Sequence, residues 1–433
     1  MTRKKNSMLK LTASIAMALI MSVSVVLPAL AVPYSEGTDS DNQAKAAITK
    51  VLKMPIGTIT PDVAFKFVFE SISADGKDYD ENNPNMPSIK EIEIEFDEDE
   101  EGDTDGGVKT VTIESGNIMD SLDGPWPHPG EYKYTVTEET GTYNIIDKKK
   151  EWMIYSKALY ELVIIVDKDE KGLFVRYIVA TRTITDDGDE LEKGEKVNPT
   201  PGGDEDYEYS YMKFTNIYSK TNGGGDVDPE TTVLEISKTV TGYGAREDIY
   251  FDFEVTVSAP EIGESAEKYK AYVVGSNGVI LTSLTENNTG GVATASDTGG
   301  RAYFLLTPEV KATISLKHGE RLVFVDMEVG SSFTVNEKGA EGYIAGYEIT
   351  LDGVGPEELS NTTTNTDLAA PEDGIAYIGE EENTVDYTNR RDLTTPTGIS
   401  VDNLPYFVMI AAAMSGLVLF VAAKSRRKKR ERA

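Results

Sequence analysis

Six residues of the sequence have the types and the spacing needed to form covalent bonds inside the protein. Each half of the chain carries one lysine, one glutamate and one asparagine in the same order: Lys50, Glu138 and Asn216, then Lys238, Glu337 and Asn389. Each lies in a run of alternating apolar and polar residues, which predicts a β-strand. Because side chains two residues apart share one face of a strand, all six are predicted to point inward together with the apolar positions.

Burial changes the chemistry of these residue types. Desolvation lowers the pKa of a lysine and raises the pKa of a glutamate, so the amine becomes a nucleophile and the carboxyl group a hydrogen-bond donor. Beside an asparagine, the neutral amine can attack the side-chain amide carbon while the glutamate polarises the carbonyl and shuttles protons, and ammonia leaves. The predicted product is one intramolecular Lys–Asn isopeptide bond in each half, with the glutamate as its catalytic residue.

Two neighbouring residues compete for these roles. Lys53 lies near Lys50 but falls on the opposite face of its strand, and Glu139 adjoins Glu138 but is out of phase with the apolar positions. The phase of the alternation therefore favours Lys50 and Glu138.

The elements that position these residues are predicted to be strands throughout. Alternation is plain in residues 92–96, 132–136 and 251–257, and the longer apolar run 160–166 predicts a central strand. Clusters of Asp, Gly and Asn separate the runs, and the exported part has no long stretch with a helical apolar period. This pattern is typical of antiparallel β-sandwiches, so we expect an all-β fold.

The order of features repeats, which predicts two similar domains in tandem. Three successive glycines mark a linker at 220–230, between a first domain at 45–219 and a second at 231–392. Residues 193–206, rich in Pro, Gly and acidic residues, are expected to form a loop within the first domain.

The two ends predict export. Residues 1–31 combine basic residues, an apolar stretch and a small-residue cleavage site, as in a secretory signal peptide. Residues 406–423 carry no charge and are long enough for a transmembrane helix, and the basic tail that follows is expected to stay in the cytoplasm.

Composition excludes several classes of function. The chain has 433 residues, a net charge of −32, no cysteine and two histidines. Thiol nucleophiles, disulfides and thiolate zinc sites are excluded, and so acidic a chain is not expected to bind nucleic acid. No motif indicates a cofactor or a metal site.

Three motifs carry a family resemblance. Ile-Thr-Lys-Val-Leu at 48–52, Tyr-x-Val-Thr-Glu at 134–138 and Phe-Thr-Asn at 214–216 resemble those of streptococcal-type pilin isopeptide-linkage domains. The second half resembles a related CnaB-like domain, although its pattern is looser. The resemblance implies an inverse-immunoglobulin sandwich, autocatalytic Lys–Asn bonds and a role as a pilus subunit.

Residues 394–433 resemble the cell-wall sorting signal of Gram-positive surface proteins. Pro396-Thr397-Gly398 precedes the apolar span and the basic tail, but Pro directly precedes Thr, unlike in the common Leu-Pro-x-Thr-Gly form. In that family, a sortase cuts between Thr and Gly, here Thr397 and Gly398, and joins the threonine to an amine. The implied partners are a sortase and either neighbouring pilin subunits or peptidoglycan. The implied location is the Gram-positive cell surface, with a precursor held in the membrane by the C-terminal helix.

One alternative function stays open. The same stalk could belong to a monomeric wall-anchored adhesin that binds a host ligand. Polymerisation distinguishes the two hypotheses, because only a pilin is joined to further copies of itself. A pilin therefore needs an exposed lysine to accept the threonine of the next subunit. Lys193 and Lys196 are the candidates for this lysine. Beyond the two self-reacting sites, the sequence offers no support for an enzyme.

Overall fold

The computed structural model describes residues 34–81, 84–145, 150–203, 208–223, 232–263, 265–372 and 374–392. The predicted signal peptide, the sorting signal with its cleavage site and the predicted transmembrane helix lie outside these residues. Within the described ranges, no helix is long and apolar enough to cross a membrane. Their regular structure is β-strand apart from one 3-10 helix, Ile118–Ser121, so the predicted all-β class is confirmed.

Fifteen strands form the first half of the described chain. They are β1 (Ser35–Glu36), β2 (Thr49–Pro55), β3 (Val63–Ala74), β4 (Lys77–Asp78), β5 (Ser88–Ile89), β6 (Ile92–Phe96), β7 (Asp103–Asp105), β8 (Val108–Glu114), β9 (Leu122–Asp123), β10 (Gly130–Glu138), β11 (Glu151–Ile154), β12 (Leu159–Lys168), β13 (Leu173–Ile184), β14 (Glu190–Val197) and β15 (Lys213–Asn222).

Fifteen more strands form the second half. They are β16 (Leu234–Thr241), β17 (Phe251–Ser258), β18 (Tyr269–Val274), β19 (Asn288–Gly290), β20 (Ala293–Ser296), β21 (Ala302–Leu306), β22 (Ala312–Leu316), β23 (Arg321–Phe324), β24 (Met327–Glu328), β25 (Ser332–Glu337), β26 (Ile344–Leu351), β27 (Val354–Ser360), β28 (Leu368–Ala370), β29 (Ala376–Tyr377) and β30 (Thr384–Arg390).

The first half is a sandwich of two sheets around one hydrophobic core. One sheet has the order β1-β13-β12-β10-β3-β4, with β14 beside β13 and β6 beside β3, and the other has the order β11-β15-β2-β8-β7. The core between them is rich in aromatic side chains, including Phe65, Phe67, Tyr134 and Phe214. Strand β12, which contains the apolar run 160–166, lies between β10 and β13, as expected for a central strand.

The second half repeats this plan around its own core. Its larger sheet has the order β20-β21-β18-β23-β16-β30-β26-β27, and the other has the order β19-β22-β17-β25-β28, with β29 also beside β25. The side chains between them include Phe253, Phe304, Val335 and Tyr387. In each half, the first and last long strands lie side by side and run parallel: β2 with β15, and β16 with β30.

Two segments differ from the sequence predictions. The predicted loop 193–206 is wrong at its start, because Lys193 and Lys196 lie on β14, which pairs with β13 at the edge of a sheet. Its charged, exposed residues look like a loop in composition, but backbone hydrogen bonds hold them in a strand. Strand β15 also runs to Asn222, three residues into the predicted linker, because its end pairs with β24 of the second half.

Candidate functional site

The pairing of the first and last long strands brings the lysine and the asparagine of each half together. In the first half, Asn216 on β15 lies opposite Leu52 on β2, two residues beyond Lys50. In the second half, Asn389 on β30 lies opposite Val240 on β16, two residues beyond Lys238. Residues two apart share a face, so the same register places each asparagine next to its lysine on the core side.

In the first site, a carboxylate from the opposite sheet joins the lysine to the asparagine. Lys50 Nζ lies 2.6 Å from Glu138 Oε2, and Asn216 Nδ2 donates to Glu138 Oε1 at 2.6 Å. Glu138 is at the end of β10, across the sandwich from β2 and β15. Each carboxylate oxygen therefore accepts from one nitrogen, and the lysine and glutamate side chains are fully buried.

The second site has the same three residue types with a different hydrogen-bond pattern. Lys238 Nζ and Asn389 Nδ2 both donate to Glu337 Oε1, at 2.8 and 2.6 Å. Among the described residues, Glu337 Oε2 and Asn389 Oδ1 are buried and have no hydrogen-bond partner. The second site thus contains two unpaired acceptor atoms.

An aromatic ring lies beneath each lysine nitrogen. Lys50 Nζ lies 4.4 Å from the centre of the Phe65 ring, and Lys238 Nζ lies 4.6 Å from the centre of the Phe251 ring. The rings come from the strands next to those of the glutamates, β3 and β17. They attract a cation but also exclude water, which makes the charged form costly.

Burial shifts the pKa values of both pairs toward the neutral forms. Desolvation lowers the pKa of Lys50 to about 8 and that of Lys238 to about 8, against the opposing attraction of the glutamates. Desolvation raises the pKa of Glu138 and of Glu337, again against the attraction of the lysines. The two shifts reduce the free-energy difference between the ion pair and the neutral pair. A proton can therefore pass from the ammonium to the carboxylate at a moderate cost in free energy.

The first site contains a contact that sequence reasoning missed. The backbone N–H of Ser156 donates to Asn216 Oδ1 at 2.7 Å. Ser156 is buried in the short connection between β11 and β12. No feature of the sequence marks this residue, because a backbone N–H is common to all residues except proline and its direction depends on the fold.

The out-of-phase neighbours lie on the outside. Lys53 and Glu139 are exposed, whereas Lys50 and Glu138 point into the core. In the described ranges, no group of three or more His, Asp and Glu residues is placed to hold a metal ion.

The fold and the two sites define a β-sandwich protein in which each half buries a glutamate that contacts both a lysine and an asparagine. The chain is 22% identical over 414 residues to a protein named Pilin from Streptococcus pyogenes serotype M1. The match covers 94% of this chain and 98% of the relative. It is also 25% identical over 195 residues to the pilus tip adhesin Cpa of Streptococcus pyogenes. That match covers 45% of this chain and 22% of the relative. The predicted resemblance to pilin-type surface proteins is confirmed by these two matches.

Two further comparisons concern parts of the chain. A crystal structure of the major pilin from Streptococcus pyogenes matches 81% of this chain and 100% of its own, with 19% identity and a TM-score of 0.30. Residues 232–391 match a family model described as a domain of unknown function, DUF7601.

Proposed function

We propose that the protein is a subunit of a bacterial surface pilus, stiffened by two intramolecular Lys–Asn isopeptide bonds. The observation that carries the proposal is the repeated triad, in which a buried glutamate contacts both the lysine nitrogen and the asparagine amide. The similarity to a pilin over most of the chain supports the pilus context.

The contacts in the first site support a direct reaction. A proton passes from Lys50 Nζ to Glu138, and the neutral amine attacks Cγ of Asn216 to form the new C–N bond. Glu138 also contacts the amide nitrogen, so it can deliver a proton to Nδ2, which leaves as ammonia. Glu138 then accepts the second proton that Nζ loses as the amide forms, so one neutral amine and one amide yield one isopeptide bond and one ammonia, and the glutamate stays protonated, as it was when the amine attacked. Lys238, Glu337 and Asn389 play these parts in the second site.

The position of the bonds suits a protein under tension. Each bond would join the first and last long strands of a sandwich, which run parallel and next to each other. Tension applied at the two ends of a domain would shear this strand pair. With a covalent bond between the strands, the force would pass through the bond, and the rest of the sandwich would carry little of it.

Export and attachment complete the proposal. The signal peptide at 1–31 would direct secretion, and the helix at 406–423 would hold the precursor in the membrane until a sortase cuts between Thr397 and Gly398. The threonine would then be joined to a neighbouring pilin subunit or to peptidoglycan. The two domains would be inverse-immunoglobulin, CnaB-like sandwiches exposed on the Gram-positive cell surface.

Intact-mass spectrometry tests the bonds. We expect the secreted part of the chain, residues 32–392, to be lighter than its sequence mass by two ammonia molecules. Glu138→Ala and Glu337→Ala should each restore the mass of one ammonia, and the double variant should restore both. A wild-type mass equal to the sequence mass would contradict the proposed chemistry.

Cell-wall extracts test the assembly. A pilus subunit gives a ladder of products that resists SDS, and Thr397→Ala should abolish it. The match of 195 residues to a pilus tip adhesin favours a second candidate, a wall-anchored adhesin that binds a host ligand. That protein would give a single wall-linked species in place of a ladder.

A further inference from the structure

We propose that the backbone N–H of Ser156 is an oxyanion donor of the first site and that Asp186 is the positioning residue that holds it there. The inference rests on the proposed isopeptide chemistry and adds to it a group outside the Lys–Glu–Asn triad. Its starting point is the 2.7 Å hydrogen bond from the Ser156 N–H to Asn216 Oδ1.

The acceptor of this bond is the atom on which charge develops. When Lys50 Nζ attacks Cγ of Asn216, the carbonyl electron pair moves onto Oδ1 and a tetrahedral oxyanion forms. A buried donor that already points at this oxygen stabilises the charge without reorganisation during the reaction. Ser156 is only 3% exposed, so water does not compete for the bond. As the intermediate collapses, the electron pair returns and ammonia leaves.

Asp186 ties the donor to the strand that carries the acceptor. Its Oδ1 accepts from Ser156 Oγ at 2.6 Å and from the backbone N–H of Thr215 at 2.7 Å. Thr215 directly precedes Asn216 on β15. One carboxylate oxygen therefore fixes the distance between the Ser156 loop and the asparagine.

A backbone contact strengthens the same connection. The N–H of Lys157 donates to the carbonyl oxygen of Asp186 at 2.9 Å, which joins the Ser156 loop to the turn after β13. The carboxylate of Asp186 touches neither Lys50, Glu138 nor the side chain of Asn216 in any hydrogen bond of the described residues. Its charge also raises the pKa of Lys50 and of Glu138 from a distance. Its hydrogen bonds, however, reach the site through Ser156 and Thr215, so we assign it a positioning role.

The second site provides an internal control. Asn389 Oδ1 is buried, and none of the described residues donates a hydrogen bond to it. Any variant that acts through the Ser156 N–H should slow the first bond and leave the second bond unchanged in the same molecule.

The rate of bond formation tests the inference. The full chain is made by pulse-labelled cell-free synthesis and quenched in acid denaturant, and the two cross-linked peptides are quantified by mass spectrometry over time. A serine analogue with an ester oxygen in place of the backbone N–H at position 156 should slow the first bond about 100-fold. The rate of the second bond should not change.

Side-chain variants test the positioning role. Ser156→Ala and Asp186→Ala should each slow the first bond about tenfold, the effect of losing a hydrogen bond to a charged group. Both variants break the Ser156–Asp186 hydrogen bond, and Ser156→Ala also removes the acceptor of the Ala158 N–H. The double variant should therefore be slowed by much less than the product of the two single effects. Ser156→Thr and Asp186→Asn keep the donor hydroxyl and the acceptor oxygen, so they should recover most of the rate.

Each outcome decides between the explanations. If Asp186→Asn is as slow as Asp186→Ala, Asp186 acts through its charge and the positioning role is wrong. Asp187→Ala, an exposed change on the same turn, is the matched control. If the first half of the Asp186→Ala variant becomes sensitive to protease, its slow rate reflects misfolding. The comparison of Ser156→Ala with Ser156→Thr then tests the positioning role. An unchanged first-bond rate in the ester variant overturns the inference alone, whereas a wild-type chain that forms neither bond overturns the proposed function.

Discussion

The two triads share their residue types, register and burial, but they differ in how the reacting groups are hydrogen-bonded. Glu138 uses one oxygen for the lysine and the other for the asparagine, whereas Glu337 accepts both donors on one oxygen. Asn216 Oδ1 accepts the Ser156 N–H, whereas Asn389 Oδ1 has no partner among the described residues. Convergence of the three side chains therefore does not by itself fix which donor faces the asparagine carbonyl oxygen.

The difference suggests two ways of activating an asparagine. In the first site, the proposed backbone donor would assist the buried acid. In the second site, Glu337 Oε2 and Asn389 Oδ1 are both acceptors, and a proton on the carboxyl group turns one acceptor into a donor. Burial raises the pKa of Glu337, which favours that protonated form. The second site would then depend on its acid alone.

Loss of either covalent bond has the largest expected effect. Asn216→Ala and Asn389→Ala should each destabilise their own half by ~5 kcal/mol, the value for a cross-link that closes a loop of more than 100 residues. Guanidinium unfolding of each variant, with the mass of the same sample as control, measures this. If Asn389→Ala restores no ammonia and leaves stability unchanged, the two sites differ in outcome, and only the first forms a bond.

The rates of the two bonds in one wild-type chain give the next largest effect. Because the first site has the additional donor, and no described residue donates to Asn389 Oδ1, the first bond should form about 100-fold faster, equivalent to ~3 kcal/mol in the barrier. Pulse-labelled synthesis with quantification of both cross-linked peptides measures the ratio directly. Equal rates, or an earlier second bond, would show that the Ser156 contact does not limit the reaction.

The dependence on pH should have the same form at both sites, although at the first site alone the charge of Asp186 also acts to raise both pKa values. The neutral Lys–Glu pair holds as many protons as the ion pair, so the rate should be level between the two apparent pKa values. Above a pH of about 8, set by the lowered lysine pKa, the pair loses a proton. The glutamate is then a carboxylate beside a neutral amine and has no proton to donate. The rate should then fall about tenfold per pH unit.

Below the raised pKa of the glutamate, the pair gains a proton and the amine is charged, so the rate should fall again. Newly synthesised chain is unfolded in urea and refolded at a series of pH values, and the rate of bond formation at each pH gives the acidic and the basic sides of the profile. A rate that keeps rising above pH 8 would show that the carboxylate acts only as a base and that its proton is not needed.

The strand pattern of the sequence was enough to predict which side chains meet. A period of two fixes the face of each residue, so the phase alone separated buried Lys50 and Glu138 from exposed Lys53 and Glu139. The repeat of the pattern then predicted the second triad, which lies in the same register as the first.

Contacts that depend on distant segments could not be predicted in this way. The Ser156 donor is oriented by Asp186, 30 residues further along the chain. Likewise, the end of β15 becomes a strand because it pairs with β24 of the other half, and β14 is held by β13. In these places, the composition of the segment predicts a loop, but backbone hydrogen bonds to a neighbouring strand hold the segment in a β-strand.

The smallest expected effect comes from the residues that follow the two glutamates. Glu139 is acidic and Lys338 is basic, so the two sites differ in charge at this position, yet both side chains point outward. Lys338 pairs with Asp367 at the surface. Surface charges are screened by water, so Glu139→Gln and Lys338→Gln should each change stability by under ~0.5 kcal/mol and leave both bond-formation rates within about twofold.

The charge swap, Glu139→Lys with Lys338→Glu, sharpens this test because it exchanges the sign at both sites at once. If the rates of the two bonds converge in that variant, the outward charges, and not the Ser156 N–H, account for the difference between the sites. If the ratio is kept, the cause lies inside the sandwich. There, Asn216 and Asn389 differ in the donor that faces their carbonyl oxygen and in how the glutamate divides its oxygens between the two nitrogens.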